Sequence, residues 1–235
     1  MQCKRHRLLF LKATNSYDAN ITAHIEGVCR LLGVEFQHYE YTSLDAFEEW
    51  LENNRSFDLI YIAAHGAHHC FGEQVGPIAR WADFAYVLCR TAALNPNSVL
   101  FMGCCHGGLK KVSLILFSLC EQVSSICGPR WTVNLSEVPV ALHVFLHNLI
   151  TNTVEPEVAA ERTASALGIH FPYYNRYELE AEVLLIKHLA VEREPDYVIS
   201  PEVRAKDFSA CCSGPMAPVN AQTSTTGTTP NPAAS

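Results

Sequence analysis

The sequence contains no apolar run near the roughly 18 residues that a helix needs to cross a bilayer, so a membrane-spanning chain is not expected. It is also poor in positive charge. Against 24 Asp and Glu stand 17 Lys and Arg, a formal net charge of −7, and no basic run exceeds "KRHR" at 4–7. Nucleic acids and anionic membrane surfaces are gripped by clustered Lys and Arg, so neither is an expected partner. There is no internal repeat, no C-x-x-C pair and no recognisable export signal. The opening "MQCKRHRLLFLKATNSYD" joins a basic cluster to an apolar segment of only Leu8 to Leu11, shorter than the ~7 to 15 residues of a signal-peptide core, and reads as a first strand.

What is present is a globular composition: 235 residues, 49% apolar and 17% charged, enough for one sizeable domain with its own core. Ten cysteines lie at Cys3, Cys29, Cys70, Cys89, Cys104, Cys105, Cys120, Cys127, Cys211 and Cys212, without the rhythm of a disulfide framework. A reducing cytoplasm is expected, with most thiols serving as small core residues. From Ser209 the composition turns to Ser, Thr, Pro, Gly, Ala and Asn without apolar periodicity. This divides the chain into a domain over 1–208 and a disordered tail over 209–235, with Cys211 and Cys212 as exposed thiols at its root.

Strand and helix patterns alternate along the domain. Residues 7–13 read as a strand, followed by a helix capped by Asn20, carrying Ile21, Ile25, Val28 and Leu32, and stopped by Gly33. "VEFQHYEY" alternates as a strand, and Leu44, Phe47 and Leu51 form a helical stripe behind the capping pair Thr42 and Asp45. "DLIYIAA" is an unbroken apolar run, as expected where both faces of a parallel sheet are covered. A loop leads to a helix with Trp81, Phe84, Ala85, Leu88 and Ala92. "NPN" then breaks the chain before the strand "SVLFM". A helix from about Leu109 to Val123, a short strand near "SSIC", helices beginning near Pro139, Pro156 and Arg176, and a last strand near "DYVIS" complete the order. The pattern predicts a three-layer α/β/α sandwich with a mainly parallel sheet.

In such sheets chemistry collects just beyond the carboxyl ends of the strands. "LIYIAAHGAHH" at 59–69 ends a strand at His65 and Gly66, and "LFMGCCHGG" at 100–108 ends the next at Cys104, Cys105 and His106. Adjacent strand ends would let the His65 imidazole take the proton of the Cys105 thiol or pair with its thiolate. Gly66 leaves room for a substrate carbonyl, and the N–H groups of Gly66 and Cys105 are candidates for an oxyanion hole. Gly107 and Gly108 are read as permitting a sharp turn into a helix whose positive end lies behind Cys105.

These two motifs resemble the His-Gly and Cys motifs of the caspase-like cysteine peptidases. The caspase pattern Gln-Ala-Cys-Arg-Gly aligns with Gly103, Cys104, Cys105, His106 and Gly107, so the resemblance makes Cys105 the nucleophile and Cys104 a small buried residue. "CCHGG" is similar to the Cys-His-Ser-Gly of metacaspases, and the wider run is most similar to CHAT domains, whose segment after the cysteine helix resembles 128–149. The resemblance covers roughly residues 55–170. It implies a caspase-like fold, an endopeptidase using His65 and Cys105 without a cofactor, and a protein or peptide substrate. It further implies gating by an activating partner, a small-molecule signal or homodimerisation, as in effectors of bacterial antiviral defence or cell death. Arg130, Trp131 and Glu137 correspond in position to the family's substrate-binding segment, and Asp18 after the first strand is another pocket candidate. Two residues before the nucleophile, caspases carry Gln and metacaspases Asp. Gly103 stands there, so neither specificity carries over.

Other readings remain open on the residues. Trp131 also suits a core position, Arg130 a surface ion pair, and Asp18 the start of a helix. His65, His68, His69, Cys70, Cys104, Cys105 and His106 include types that ligate zinc. The fold can also serve as a ligand-binding or signalling module in which catalysis is secondary. A glutamine amidotransferase would also use Cys and His, but with the cysteine preceding the histidine in sequence.

Overall fold

The computed structural model describes residues 6–134 and 136–192. The proposed tail, Cys3, Cys211, Cys212 and the strand expected near "DYVIS" lie outside the described residues. The elements are β1 Arg7–Ala13, α1 Ala19–Leu31, β2 Glu35–Glu40, α2 Leu44–Asn53, β3 Phe57–Gly66, β4 Cys70–Gly72, β5 Ile78–Arg80, α3 Trp81–Thr91 and β6 Leu94–Gly103. They continue with α4 Lys110–Leu119, β7 Val123–Cys127, α5 Glu137–Leu146, α6 Pro156–Leu167, β8 Tyr173–Asn175 and α7 Glu180–Glu192. Past Leu146, α5 runs on as one π-helical turn, His147–Thr151.

The main sheet has the order β2-β1-β3-β6-β7-β8, parallel except for β8, which pairs antiparallel with β7. From β1 the chain steps outward to β2. From β2 it crosses back over β1 to β3 and then continues in that direction. With one crossover handedness, such a reversal must move the helices to the other face. The core shows this. Ile25 and Val28 of α1 pack with α5 and α6 on one face, whereas Phe47, Phe84 and Val112 of α2, α3 and α4 pack on the other together with α7. The protein is thus a three-layer α/β/α sandwich.

β3 and β6 lie in the middle and are buried on both faces, which is why they read as continuous apolar runs. On β3, Leu59, Tyr61 and Ala63 face the α1/α5/α6 layer, while Ile60, Ile62 and Ala64 face the other. On β6, Val99 and Phe101 join the first set, and Leu100 and Met102 the second, as does Cys104 just beyond the strand. Among the described residues no helix is long and apolar enough to cross a membrane.

Local chemistry corrects several boundaries. Asp18, not Asn20, caps α1, its carboxylate accepting the Ile21 N–H at 2.9 Å. Ser43, rather than Thr42 and Asp45, caps α2, accepting the Ala46 N–H at 3.1 Å. Asn95–Pro96–Asn97 does not precede β6 but bulges out within it. Phe57 pairs with Leu94 and Leu59 with Val99, and Asn95 Nδ2 ties the bulge to Asp58 at 2.9 Å. α4 ends at Leu119 and Val123 already belongs to β7, while α7 starts at Glu180 rather than near Arg176. Arg176 instead lies beyond β8, its Nε donating to the Val123 carbonyl at 2.8 Å. Three short strands, β4, β5 and β8, have no counterpart in the sequence reading.

Candidate active site

β1 and β3 are neighbours whose onward connections leave in opposite directions, so a crevice opens at their carboxyl ends. His65 stands on its rim because β3 continues past the main sheet into a hairpin: His65 pairs with Gly72 and Gly66 with Phe71 of β4. The turn is closed by the Ala67 N–H on the Cys70 carbonyl at 2.9 Å, and it is anchored by the Trp81 indole N–H on the Ala67 carbonyl at 3.0 Å. Gly72 is required, since its φ of 146° brings it against the Pro77 carbonyl.

The β3–β6 register pairs Ala63 with Gly103. His65 and Cys105 each follow that last pair by two residues, His65 where β3 turns to pair with β4 and Cys105 in the turn beyond β6. Both are half-buried. Cys105 is the second residue of a turn closed by the Gly107 N–H on the Cys104 carbonyl at 3.2 Å, and the left-handed position in that turn is taken by His106, φ 60°.

Cys104 and Cys105 thus part company. Cys104 is 1% exposed in the α2/α3/α4 layer, and burial drives its thiol far above the ordinary range, which keeps it protonated. Cys105 stays half-buried in the turn beyond β6.

His65 has two partners that the sequence reading did not include. Its Nε2 lies 3.7 Å from Glu73 Oε1 and 3.4 Å from Ser16 Oγ. Glu73 also accepts the N–H groups of Asn15 and of Gln74. Burial works to raise its carboxyl pKa, but the Asn15 and Gln74 amides, the Thr14 hydroxyl and His65 together hold it below the usual value. Glu73 follows a three-residue strand and Ser16 sits in the loop after β1. Only the hairpin and the β1–β3 pairing bring them to His65, and no spacing in the sequence announces this. In the core between the sheet and α1, α5 and α6, the hydroxyls of Tyr17 and Tyr61 bond to each other at 3.0 Å.

The other expected residues divide. Gly66 is needed, but the backbone that approaches it is the chain's own: a Cβ there would stand 2.0 Å from the Cys105 carbonyl oxygen. Gly107 and Gly108 lie in the turn as expected, between His106 and Leu109, and are close-contact glycines as well. A Cβ on Gly107 would meet Met102 Cβ at 2.5 Å, and one on Gly108 would meet the Gly128 carbonyl oxygen at 2.0 Å. However, α4 does not begin directly behind Cys105, since its first residue is Lys110. Gly103 is buried at the end of β6. Asp18 serves α1 as its cap. Glu137 opens α5 and accepts the Asn134 N–H at 2.9 Å.

Arg130 and Trp131 are exposed beside the cysteine turn. The guanidinium lies over the indole, 5.2 Å from the ring centroid, and His106 Nδ1 meets the Arg130 carbonyl at 3.3 Å. Trp131, 58% exposed, is not a core residue. His68 packs edge-on to His106 at 5.2 Å between centroids. Among the described residues no three His, Cys, Asp or Glu side chains converge as a metal ligand set. No protein-family model matches the chain, and no curated protein matches it significantly.

Proposed function

We propose that the protein is a cysteine endopeptidase of the caspase-like type, working in the cytoplasm on protein or peptide substrates and gated by a partner or signal. The observation that supports the reading is the β3–β6 register, which ends on the pair Ala63–Gly103, so that His65 and Cys105 each follow by two residues the last paired positions of adjacent parallel strands. With Nε2 engaged by Glu73 and Ser16, Nδ1 is the nitrogen assigned to the thiol. The thiol proton passes to His65 as Cys105 Sγ bonds to the scissile carbonyl carbon, and the N–H groups of Gly66 and Cys105 are assigned to the oxyanion. The carbon–nitrogen bond then breaks, with the amine leaving on the proton returned by His65. Water, deprotonated by His65, hydrolyses the thioester and restores the thiol. Glu73, 3.7 Å from Nε2, is assigned to orient the imidazole.

The test is a peptide-library cleavage profile of the native chain beside Cys105→Ala and His65→Ala. Cleavage that vanishes with Cys105→Ala and falls steeply with His65→Ala supports the reading. Cleavage indifferent to Cys105, or none under any activating condition, overturns it.

A further inference from the structure

Beneath the carboxyl ends of β3 and β6, on the face covered by α1, α5 and α6, the space is filled by tyrosine. Gly103 is the last residue of β6, two before Cys105, and where its side chain would project lies the ring of Tyr61: a Cβ on Gly103 would stand 2.2 Å from Tyr61 Cε2. The Tyr61 hydroxyl is bonded to that of Tyr17, which arrives from the loop after β1. Tyr61 is 0% and Tyr17 1% exposed. Neighbouring rings wedge the pair in place. Phe10 stacks on Tyr61 at 5.2 Å between centroids and tilts against Tyr17 at 6.3 Å, and Phe101 meets Tyr61 edge-on at 5.5 Å. Burial keeps both phenols protonated, so this floor offers no charge to a ligand.

A substrate side chain reaching down from the scissile carbonyl would have to separate the two hydroxyls, leaving buried polar groups without partners, and displace closely packed rings. We infer, resting on the peptidase reading, that the enzyme takes a small, uncharged residue (glycine, alanine or serine) on the acyl side of the cut bond, because Tyr17 and Tyr61 occupy the depth where a larger side chain would lodge. Tyr17 and Tyr61 are then specificity-determining residues, and Gly103 is the position that admits the Tyr61 ring.

The experiment is covalent labelling of the full chain with peptidyl acyloxymethyl ketones that differ only in the terminal acyl residue: Gly, Ala, Leu, Phe, Asp or Lys. The sulfur bonds to the methylene carbon and the carboxylate leaves, so labelling is read by intact mass without turnover. The Gly and Ala probes are expected to label native protein about tenfold or more faster than the others, on the scale by which a pocket discriminates side-chain size. Tyr17→Ala, checked for folding by circular dichroism, is expected to raise the Leu rate relative to Gly by about tenfold. If Tyr17→Ala does not fold, Tyr17→Leu shifts the ratio in the same direction by less, and the native profile decides without either.

Labelling that depends on Cys105 and His65 but favours Leu, Phe or Lys overturns the inference and leaves the peptidase reading standing. A preference for Asp does the same and moves recognition to Arg130. Labelling that is absent, or independent of Cys105 and His65, overturns both.

Discussion

Replacing Glu73 probes stability and chemistry through one side chain. Its carboxylate is 15% exposed and accepts N–H groups from Asn15 and Gln74 while facing His65, so it fastens the loop after β1 to the hairpin that carries the imidazole. A hydrogen bond to a charged group contributes about 1.5 to 3 kcal/mol net. The two amides are near the surface and water replaces part of the loss, so Glu73→Ala is expected to cost about 2 to 3 kcal/mol in all. Glu73→Gln keeps one acceptor but presents a donor to the other partners, and is expected to cost about half as much.

The pH dependence follows from the sign of the shift. The folded carboxyl titrates below its ordinary 4.5, so its stabilisation is complete above that value and is lost as pH falls through the lower folded value. Urea unfolding of native and Glu73→Ala protein at several pH values between about 3 and 7 should therefore give curves that lie apart at neutral pH and converge in acid. Release of His65 should lower kcat/KM by about tenfold to a hundredfold, mostly through kcat. Equal stability of the two proteins at pH 7, or a gap that persists unchanged in acid, would refute this account of Glu73.

Gly66→Ala places a methyl group 2.0 Å from the Cys105 carbonyl oxygen and is expected to cost about 3 kcal/mol or more by denaturant unfolding. Gly27→Ala, in the middle of α1 with nothing within 4 Å, should instead stabilise by about 0.5 to 1 kcal/mol. Cys104→Ala is expected to cost about 1 kcal/mol for the lost buried sulfur and to keep electrophile labelling of Cys105, which mass spectrometry of the labelled peptide would verify. His106→Gly relieves a left-handed non-glycine conformation worth about 1 kcal/mol, offsetting the lost contacts with Arg130 and His68. Its unfolding midpoint should barely move, while kcat falls because the turn that carries Cys105 loses its anchor.

The long central strands were legible because burial on both faces demands uninterrupted apolar residues, and β3 and β6 supply them. Once those two were placed in order, His65 and Cys105 followed at their ends. The caps were harder. Asp18 and Asn20, or Thr42 and Ser43, are chemically close, and which one caps is settled by where the chain bends rather than by residue type. β4, β5 and β8 have three residues each, too few to show alternation; β4 and β8 exist because the longer β3 and β7 offer them hydrogen bonds, and β5 because it pairs in turn with β4. Glu73 went unseen for the same reason: its role comes from a hairpin closing over the loop after β1. Gly107 and Gly108 were read as turn residues and lie in the turn, but the positive φ fell on His106; Gly66 and Gly108 answer to the Cys105 and Gly128 carbonyls, and Gly107 to Met102 and Cys104.

Those contacts have a consequence for how the molecule can vary. Gly108 rests on the Gly128 carbonyl, a Cβ on Gly128 would press on Met102, and the Gly108 and Arg130 N–H groups bond to the Pro129 and His170 carbonyls. Three chain segments are laminated there, main chain against main chain, so an insertion or a bulkier residue in any one of them moves the sulfur. Diversification among descendants of this sequence is thereby channelled to the other bank of the crevice. There the Val75–Gly76 tip, with Val75 94% exposed, can lengthen or change character while the nucleophile keeps its seat.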